Sequence, residues 1–231
     1  MCCMKIIDAH SHIDYITHRL QPDVVGTVCC TTDESQWPVL VDMAKQDSRI
    51  YASFGVHPWF VESVNNDFDK RLEQLLNLDS NYMVGEIGLD KYKPNMDKQI
   101  DVFVKLFDVA VKLNRTVCLH CVGAWDKILH VLKQYKESSL PVIVAHAFNA
   151  NDKILQQLLR YNNMLFSFNK IDVCSRNCCI QQIQNNKILV ESDGHIDSDL
   201  INIVQQISDI KNNKDMPNII YENTQRIITN G

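Results

Sequence analysis

A short list of side chains carries the chemistry of this sequence by type and spacing. Residues 8–15 read DAHSHIDY, which sets His10 and His12 two apart, directly after the apolar pair Ile6 and Ile7. His57 stands in GVHPW, Glu86 in GEIGLD, His120 in CLHC, His146 in VIVAHAF and Asp193 in ESDGH. Imidazole nitrogens and carboxylate oxygens are donors that Zn, Mn, Fe, Co and Mg all accept. The set His10, His12, Glu86, His120, His146 and Asp193 exceeds what one tetrahedral ion uses and suits two divalent ions with a bridging carboxylate. Taken singly, each has a plainer reading. An isolated HxH pair is a weak signal, His146 fits a hydrogen-bonded core histidine, and Glu86 beside Gly85 fits a loop cap.

What joins these residues is their place along the elements that carry them. Eight β-branched runs of strand length start at Lys5, Val24, Tyr51, Tyr82, Thr116, Pro141, Met164 and Lys187. Amphipathic stretches separate most of them. The clearest has Ile100, Phe103, Val104, Phe107, Ala110 and Val111 on one helical face, with lysines and aspartates opposite. WDKILHVLKQY and NDKILQQLLRY follow the fifth and sixth runs, the segment around 174–185 is weaker, and 14–23 reads as a loop. Apolar strands alternating with helices imply a parallel sheet covered on both faces. Eight such units predict a (β/α)8 barrel occupying residues 1–231 as a single domain. The runner-up is an open doubly wound sheet, against which no GxGxxG or GxxxxGK[ST] follows the first strand.

In the barrel reading, the candidate donors fall at the C-terminal strand ends, the face on which such folds build active sites. Residues i and i+2 of a strand share a face about 7 Å apart, so His10 and His12 turn inward together. Asp8 and Glu191 share a face with His10 and Asp193 and are expected to accept hydrogen bonds from ligand imidazoles or backbone. His18 and His130 fall in a loop and a helix, outside the set. Cys118 and Cys121 in CLHC are three apart on a strand and point to opposite faces, which argues against a zinc knuckle. If His120 faces the metal, Cys118 lies deeper on the same side. Trp59 and Trp125 follow strand ends and either line the pocket or pack between loops.

Composition sets the limits. The 231 residues are 45% hydrophobic and 22% charged, enough for a full core, and no linker-like or low-complexity tract marks a boundary. The net charge of −5, from 23 Lys+Arg against 28 Asp+Glu, gives no general attraction to nucleic acid or an anionic membrane. Any polyanionic substrate then needs a local site, which fits a strand end better than a long duplex groove. Nine cysteines, several in adjacent pairs, look unlike a secreted disulfide framework. No signal peptide or membrane span is legible, so a cytoplasmic protein is expected.

With these residues assembled, the chain resembles the TatD family of metal-dependent hydrolases, a branch of the amidohydrolase-like barrels. The resemblance rests on DAHSHID, GVHPW, GEIGLD, LHC, AHAF, ESD and the closing ENTQRII, in that order along the chain. It implies a (β/α)8 barrel and divalent-metal phosphodiesterase activity, commonly a 3′-exonuclease type of DNase. By resemblance His10 and His12 match the ligands of one ion and His120 and His146 those of the other. Glu86 matches the bridge, Asp193 the carboxylate that orients or deprotonates water, and His57 a phosphate contact. LHCVGAW, HAFNAN and ESDGH depart from the family's usual segments, which leaves the ligand set intact and bears on substrate choice.

The expected cofactors are two divalent ions per chain (Mg, Mn or Zn), and the expected substrate is DNA, as a single strand or strand end. No membrane contact and no obligate protein partner are inferred. Lys91, Lys93 and Arg176 fall in loops at the same mouth and are candidates for flanking phosphates, with exposed surface charge as their ordinary role. Two rival readings stand beside this one. Two-metal C–N hydrolases commonly use a carboxylated lysine at strand four, where this chain has Glu86; small phosphodiesters or cyclic amides are then substrates. A catalytically silent metal-stabilised scaffold would have no use for the full donor set.

Overall fold

A computed structural model describes residues 4–13, 23–169, 177–195 and 199–229. One sheet carries eight parallel strands in sequence order: β1 Ile6–His12, β2 Val24–Cys30, β3 Ile50–Phe54, β4 Met83–Asp90, β5 Val117–Val122, β6 Ile143–Ala145, β7 Met164–Phe168 and β8 Ile188–Val190. The described helices are α1 Trp37–Gln46, α2 Phe68–Leu76, α3 Met96–Leu113, α4 Trp125–Leu132, α5 Asp152–Leu158, α6 Asn177–Gln182, α7 Leu200–Lys211 and α8 Met216–Thr229. This is the (β/α)8 barrel. Neighbouring strands follow sequence order throughout, whereas a doubly wound sheet reverses its order at a switch point. All eight expected strands are present. The connection expected as a loop after β1 lies, up to residue 22, outside the described residues.

The apolar residues divide into two layers. The larger lies between sheet and helices and includes Phe54, Phe103, Phe107, Phe148 and Phe166. The smaller fills the barrel with Ile7, Ala9, Val28, Cys30, Met83, Cys118, Val144, Leu165 and Leu189, joined by Ile227 and Ile228 of α8. The hydroxyl of Thr116, just before β5, donates to the Ile227 carbonyl at 2.9 Å, which helps hold α8 to the barrel. The interior is therefore packed, and polar side chains gather at the strands' C-terminal ends.

Two details of packing differ from the sequence pattern. The buried face of α3 is Gln99, Val102, Phe103, Leu106, Phe107, Val109 and Ala110, rotated from the expected stripe so that Ile100, Val104 and Val111 are only partly covered. Gln99 explains the offset. Its side chain accepts from the Asp90 N–H at 2.9 Å and donates to the Pro94 carbonyl at 2.9 Å, so a polar residue is satisfied in the core and fixes the end of β4. Second, β1 and β8 are tied at the mouth by single contacts. Asp193 N–H donates to the His10 carbonyl at 3.0 Å, and the Ser192 N–H and hydroxyl donate to Asp8 at 2.9 and 2.6 Å.

Candidate metal centre

The candidate donors converge on the mouth from six of the eight strands or the residues just after them, with Glu86 inside β4 and not at its end. His10 and His12 come from β1, Glu86 from β4 and His120 from β5. His57 lies three residues past β3, where it caps the short helical turn Pro58–Ser63. His146 and Asp193 lie just beyond β6 and β8, slightly later than a strand-end position, and Asp193 adopts a left-handed conformation with φ 51°. The β1–β2 register shifts between Asp8 and Ser11, and the β4–β5 register shifts between Val84 and Ile87. Such irregularities re-aim side chains beside functional sites, and here they flank His10 and Glu86. The Gly85–Glu86 peptide bond is cis.

The Glu86 carboxylate is the centre of the arrangement. One oxygen lies 2.7 Å from His120 Nδ1, 2.9 Å from His146 Nε2 and 3.4 Å from His57 Nε2. The other lies 3.4 Å from His10 Nε2 and 3.5 Å from His12 Nε2. Asp193 Oδ1 closes the His10/His12 side at 3.9 and 3.6 Å. Glu86 is only 2% exposed, whereas the Asp193 side chain is 25% exposed, so solvent meets Asp193 first. A cavity of about 330 Å³ opens on the group, lined among others by His12, His57, Trp59, Phe60, Glu86 and Asp193.

Hydrogen bonds behind the rings decide what faces the centre. His12 Nδ1 sits 3.3 Å from the Cys30 carbonyl, which only accepts, so the ring donates there and its Nε2 lone pair faces Glu86. His146 Nδ1 lies 3.4 Å from Glu191 Oε1, an ion-pair distance without hydrogen-bond geometry, while its Nε2 faces Glu86 at 2.9 Å. A neutral ring held as His12 is aims an acceptor at a carboxylate, which is itself an acceptor. That conflict requires either protons or cations between them. Divalent ions fit the donor set: His10, His12, Glu86 and Asp193 would hold one, and Glu86, His120 and His146 another. His57 differs. Its Nδ1 accepts from the Trp59 N–H at 3.2 Å, so Nε2 carries a proton, 3.4 Å from Glu86 and 3.2 Å from His120 Nδ1 at the cavity wall.

The sequence profile of the family described as TatD related DNase matches residues 7–229 of this chain. The chain belongs to that family. The human 3′-5′ RNA nuclease TATDN2 is 25% identical over 214 residues, covering 81% of this chain and 28% of the human protein; this chain thus spans under a third of that relative. A 3′-5′ ssDNA/RNA exonuclease TatD from Enterobacter lignolyticus is 23% identical over 155 residues, covering 66% of this chain and 59% of that protein. Among solved structures, YjjV, a TatD homologue from Escherichia coli K12, superposes with a TM-score of 0.84 at 20% identity, covering 98% of both chains, and shares the fold.

Electrostatics in this TatD-family chain follow from the crowding. Burial works against charge on Glu86, yet His146, His57 and His10 hold its carboxyl well below the usual range. Burial and His10 pull His146 down, but Glu86 and Glu191 outweigh them and lift it to about 10. Burial also opposes a charge on His10, which Cys118 and Glu86 nevertheless raise well above its ordinary value. Burial prevails at His120 and lowers it. Burial favours a neutral Asp193, but the His12 hydrogen bond and the charges of His146 and His10 take it to about 2. In the metal-free protein, protons stand where cations would.

A pH dependence follows with a definite sign. The stabilisation from protonated His146 is complete below about 6.5, its unfolded value, and is lost as pH rises through about 10. That from Asp193 is present above its unfolded value of 3.8 and lost as pH falls through about 2. Metal binding near pH 7 must expel the His146 proton, so affinity should rise with pH and on the order of one to two protons should be released per chain. Calorimetric metal titration in buffers of different ionisation enthalpy measures this directly; proton-neutral binding would contradict it.

The surroundings sort the remaining candidates. Asp8 accepts from the His10 N–H at 3.2 Å besides its two Ser192 bonds, and burial pushes its carboxyl up to about 6. Glu191 accepts from the Ala147 N–H at 2.7 Å and from the Ser167 hydroxyl, and so fixes the turn carrying His146. Lys93 is brought to the mouth, its ammonium 3.8 Å from the Trp59 ring centroid, while Lys91 lies 5.5 Å from the Tyr92 ring. Arg176 and His18 fall outside the described residues. His130 is exposed on α4, and His195 is exposed two residues past Asp193. Trp125 packs against Phe148 and donates to the Asn149 carbonyl, whereas Trp59 lines the cavity.

Three contributors escaped the sequence reading. Cys30 ends β2 with its Sγ 3.4 Å from His10 Nδ1, and with Cys118 it forms a buried group beneath His10. Asp90 accepts from the Trp59 indole at 2.7 Å. Ser192 bridges to Asp8. Asp90 was findable, since it lies four residues after Glu86 within the same GEIGLD motif and shares strand parity with it.

Proposed function

We propose that this chain is a divalent-metal-dependent phosphodiesterase that removes nucleotides from the 3′ end of single-stranded nucleic acid, with DNA as the first candidate and RNA beside it. The observation that carries the reading is one buried carboxylate, Glu86, within 3.5 Å of five imidazoles at the floor of an open cavity. The names of the human and Enterobacter relatives support the substrate class. Two ions held there would supply an activated water and polarise a phosphoryl oxygen.

The chain's own residues do the rest. His57 donates from Nε2 to a non-bridging phosphate oxygen, its tautomer set by the Trp59 N–H. Asp193, ionised and the more solvent-exposed of the two central carboxylates, takes up the proton of the attacking water at a carboxylate oxygen. Its orientation comes from its own N–H bond to the His10 carbonyl. Divalent ions held around Glu86 would supply the local positive charge that a phosphate needs despite a net charge of −5.

Asp193→Asn keeps size and backbone contacts while removing the base. It is expected to lower kcat about 10²- to 10⁴-fold with a smaller change in KM, measured by steady-state cleavage of a single-stranded oligonucleotide. Equal kcat values would remove Asp193 from the proton-transfer role. The function itself is tested by stripping the protein of metal and adding Mg²⁺ or Mn²⁺ with 5′-labelled single-stranded DNA and RNA. A ladder shortening from the 3′ end only with metal is expected. Intact oligonucleotides beside hydrolysis of cyclic amides would replace the reading with the C–N hydrolase one.

A further inference from the structure

We propose that the rim formed by Trp59, Phe60 and Lys93 is a subsite for an unpaired nucleobase adjoining the scissile phosphate, an inference that rests on the phosphodiesterase reading. Trp59 is 55% exposed and Phe60 39% exposed, and both line the cavity that reaches Glu86 and His57. Tyr92, 74% exposed, stands on the neighbouring loop beside Lys93. Two exposed large aromatics, Trp59 and Phe60, lining one cavity are what a stacking surface requires.

Trp59 is exposed but not loose. Its indole N–H donates to the buried Asp90 carboxylate at 2.7 Å, which ties the β3 loop to the end of β4. Gln99 fixes Asp90 from behind through the Asp90 N–H. The His57 ring meets Trp59 edge-on, with centroids 5.2 Å apart. An aromatic plate held this rigidly loses little freedom when a ligand stacks on it. Trp125 gives the contrast, since it follows β5 in a similar position and is buried in the core.

Charge and geometry select the occupant. The Lys93 ammonium lies 3.8 Å from the indole centroid, so a base that stacks on that face would displace it and leave the cation beside the nucleotide's own phosphate. A base stacks on such a surface only when it is not already stacked in a duplex, so the occupant is a single strand or a frayed end. Stacking requires no particular base, which implies cleavage with little sequence preference.

The test compares wild type, Trp59→Ala and Trp59→Phe on two single-stranded DNA oligonucleotides, one natural and one whose last two 3′ nucleotides are abasic. Trp59→Ala is expected to lower kcat/KM on the natural strand about 10- to 100-fold, to leave the abasic strand unchanged, and to be largely restored by Trp59→Phe. Equal rates for wild type and Trp59→Ala on the natural strand would overturn the subsite and leave the proposed function standing. An equal loss on both strands would also overturn it and assign Trp59 to holding His57. If wild type cleaves neither strand with metal present, the phosphodiesterase reading fails and the subsite with it.

Discussion

Glu86→Ala is expected to reduce metal-dependent phosphodiester cleavage about 10³-fold or more, because the charge stabilisation supplied by a two-ion site is worth several kcal/mol. The size of the effect follows from how many groups depend on one carboxylate. Glu86 lies within 3.5 Å of His10, His12, His57, His120 and His146, and no other described carboxylate lies within 4.0 Å of members of both pairs of candidate ligands. Without it, His10/His12 and His120/His146 lose their shared charge partner, and the raised values of His10 and His146 lose a principal support. Metal affinity should therefore fall on both sides, and the variant should bind metal with less proton release than wild type. Cleavage assays and metal titration check the two halves. A variant with near-normal turnover would show that Glu86 is a buried structural acid and nothing more.

Gly88→Ala is expected to destabilise the protein by roughly 4 kcal/mol or more, at the severe end for a single substitution. A methyl group at Gly88 would lie 1.9 Å from the His120 carbonyl oxygen and 3.0 Å from the His120 nitrogen. These are backbone atoms of the paired strand, so no rotamer change can relieve the clash. The residue also has φ +151°, which side chains other than hydrogen rarely adopt. Relief would require β4 and β5 to part at the rung that carries His120, two residues from Glu86. Chemical denaturation should give the stability loss, and metal affinity should fall with it. A fully stable variant would mean that β4 and β5 are more loosely paired than their register indicates.

The barrel was legible because its strands are apolar on both faces and its helices are not, so the two periodicities separate cleanly in sequence. The donors were legible because they lie within those strands or a few residues after them. Other features depend on irregularity, which no periodicity reports. The register shifts at Asp8–Ser11 and Val84–Ile87 are decided by long-range pairing with β2 and β5. The joining of β1 to β8 through Asp8, Ser192 and Asp193 links residues some 184 positions apart. Likewise the fates of Trp59 and Trp125 depend on which carboxylate or carbonyl their indoles reach, and only the folded chain supplies Asp90 and Asn149. The rotation of α3 turns on Gln99, a residue that composition alone places on the surface.

The proposed function would have Glu86 shared by two divalent ions. Its most direct test is anomalous diffraction from crystals of the protein equilibrated with Mn²⁺. Two peaks about 3.5–4 Å apart are expected, one against His10 and His12, the other against His120 and His146, with Glu86 between them. A single peak, or density confined to the His10, Cys30 and Cys118 group beneath, would contradict the two-ion account.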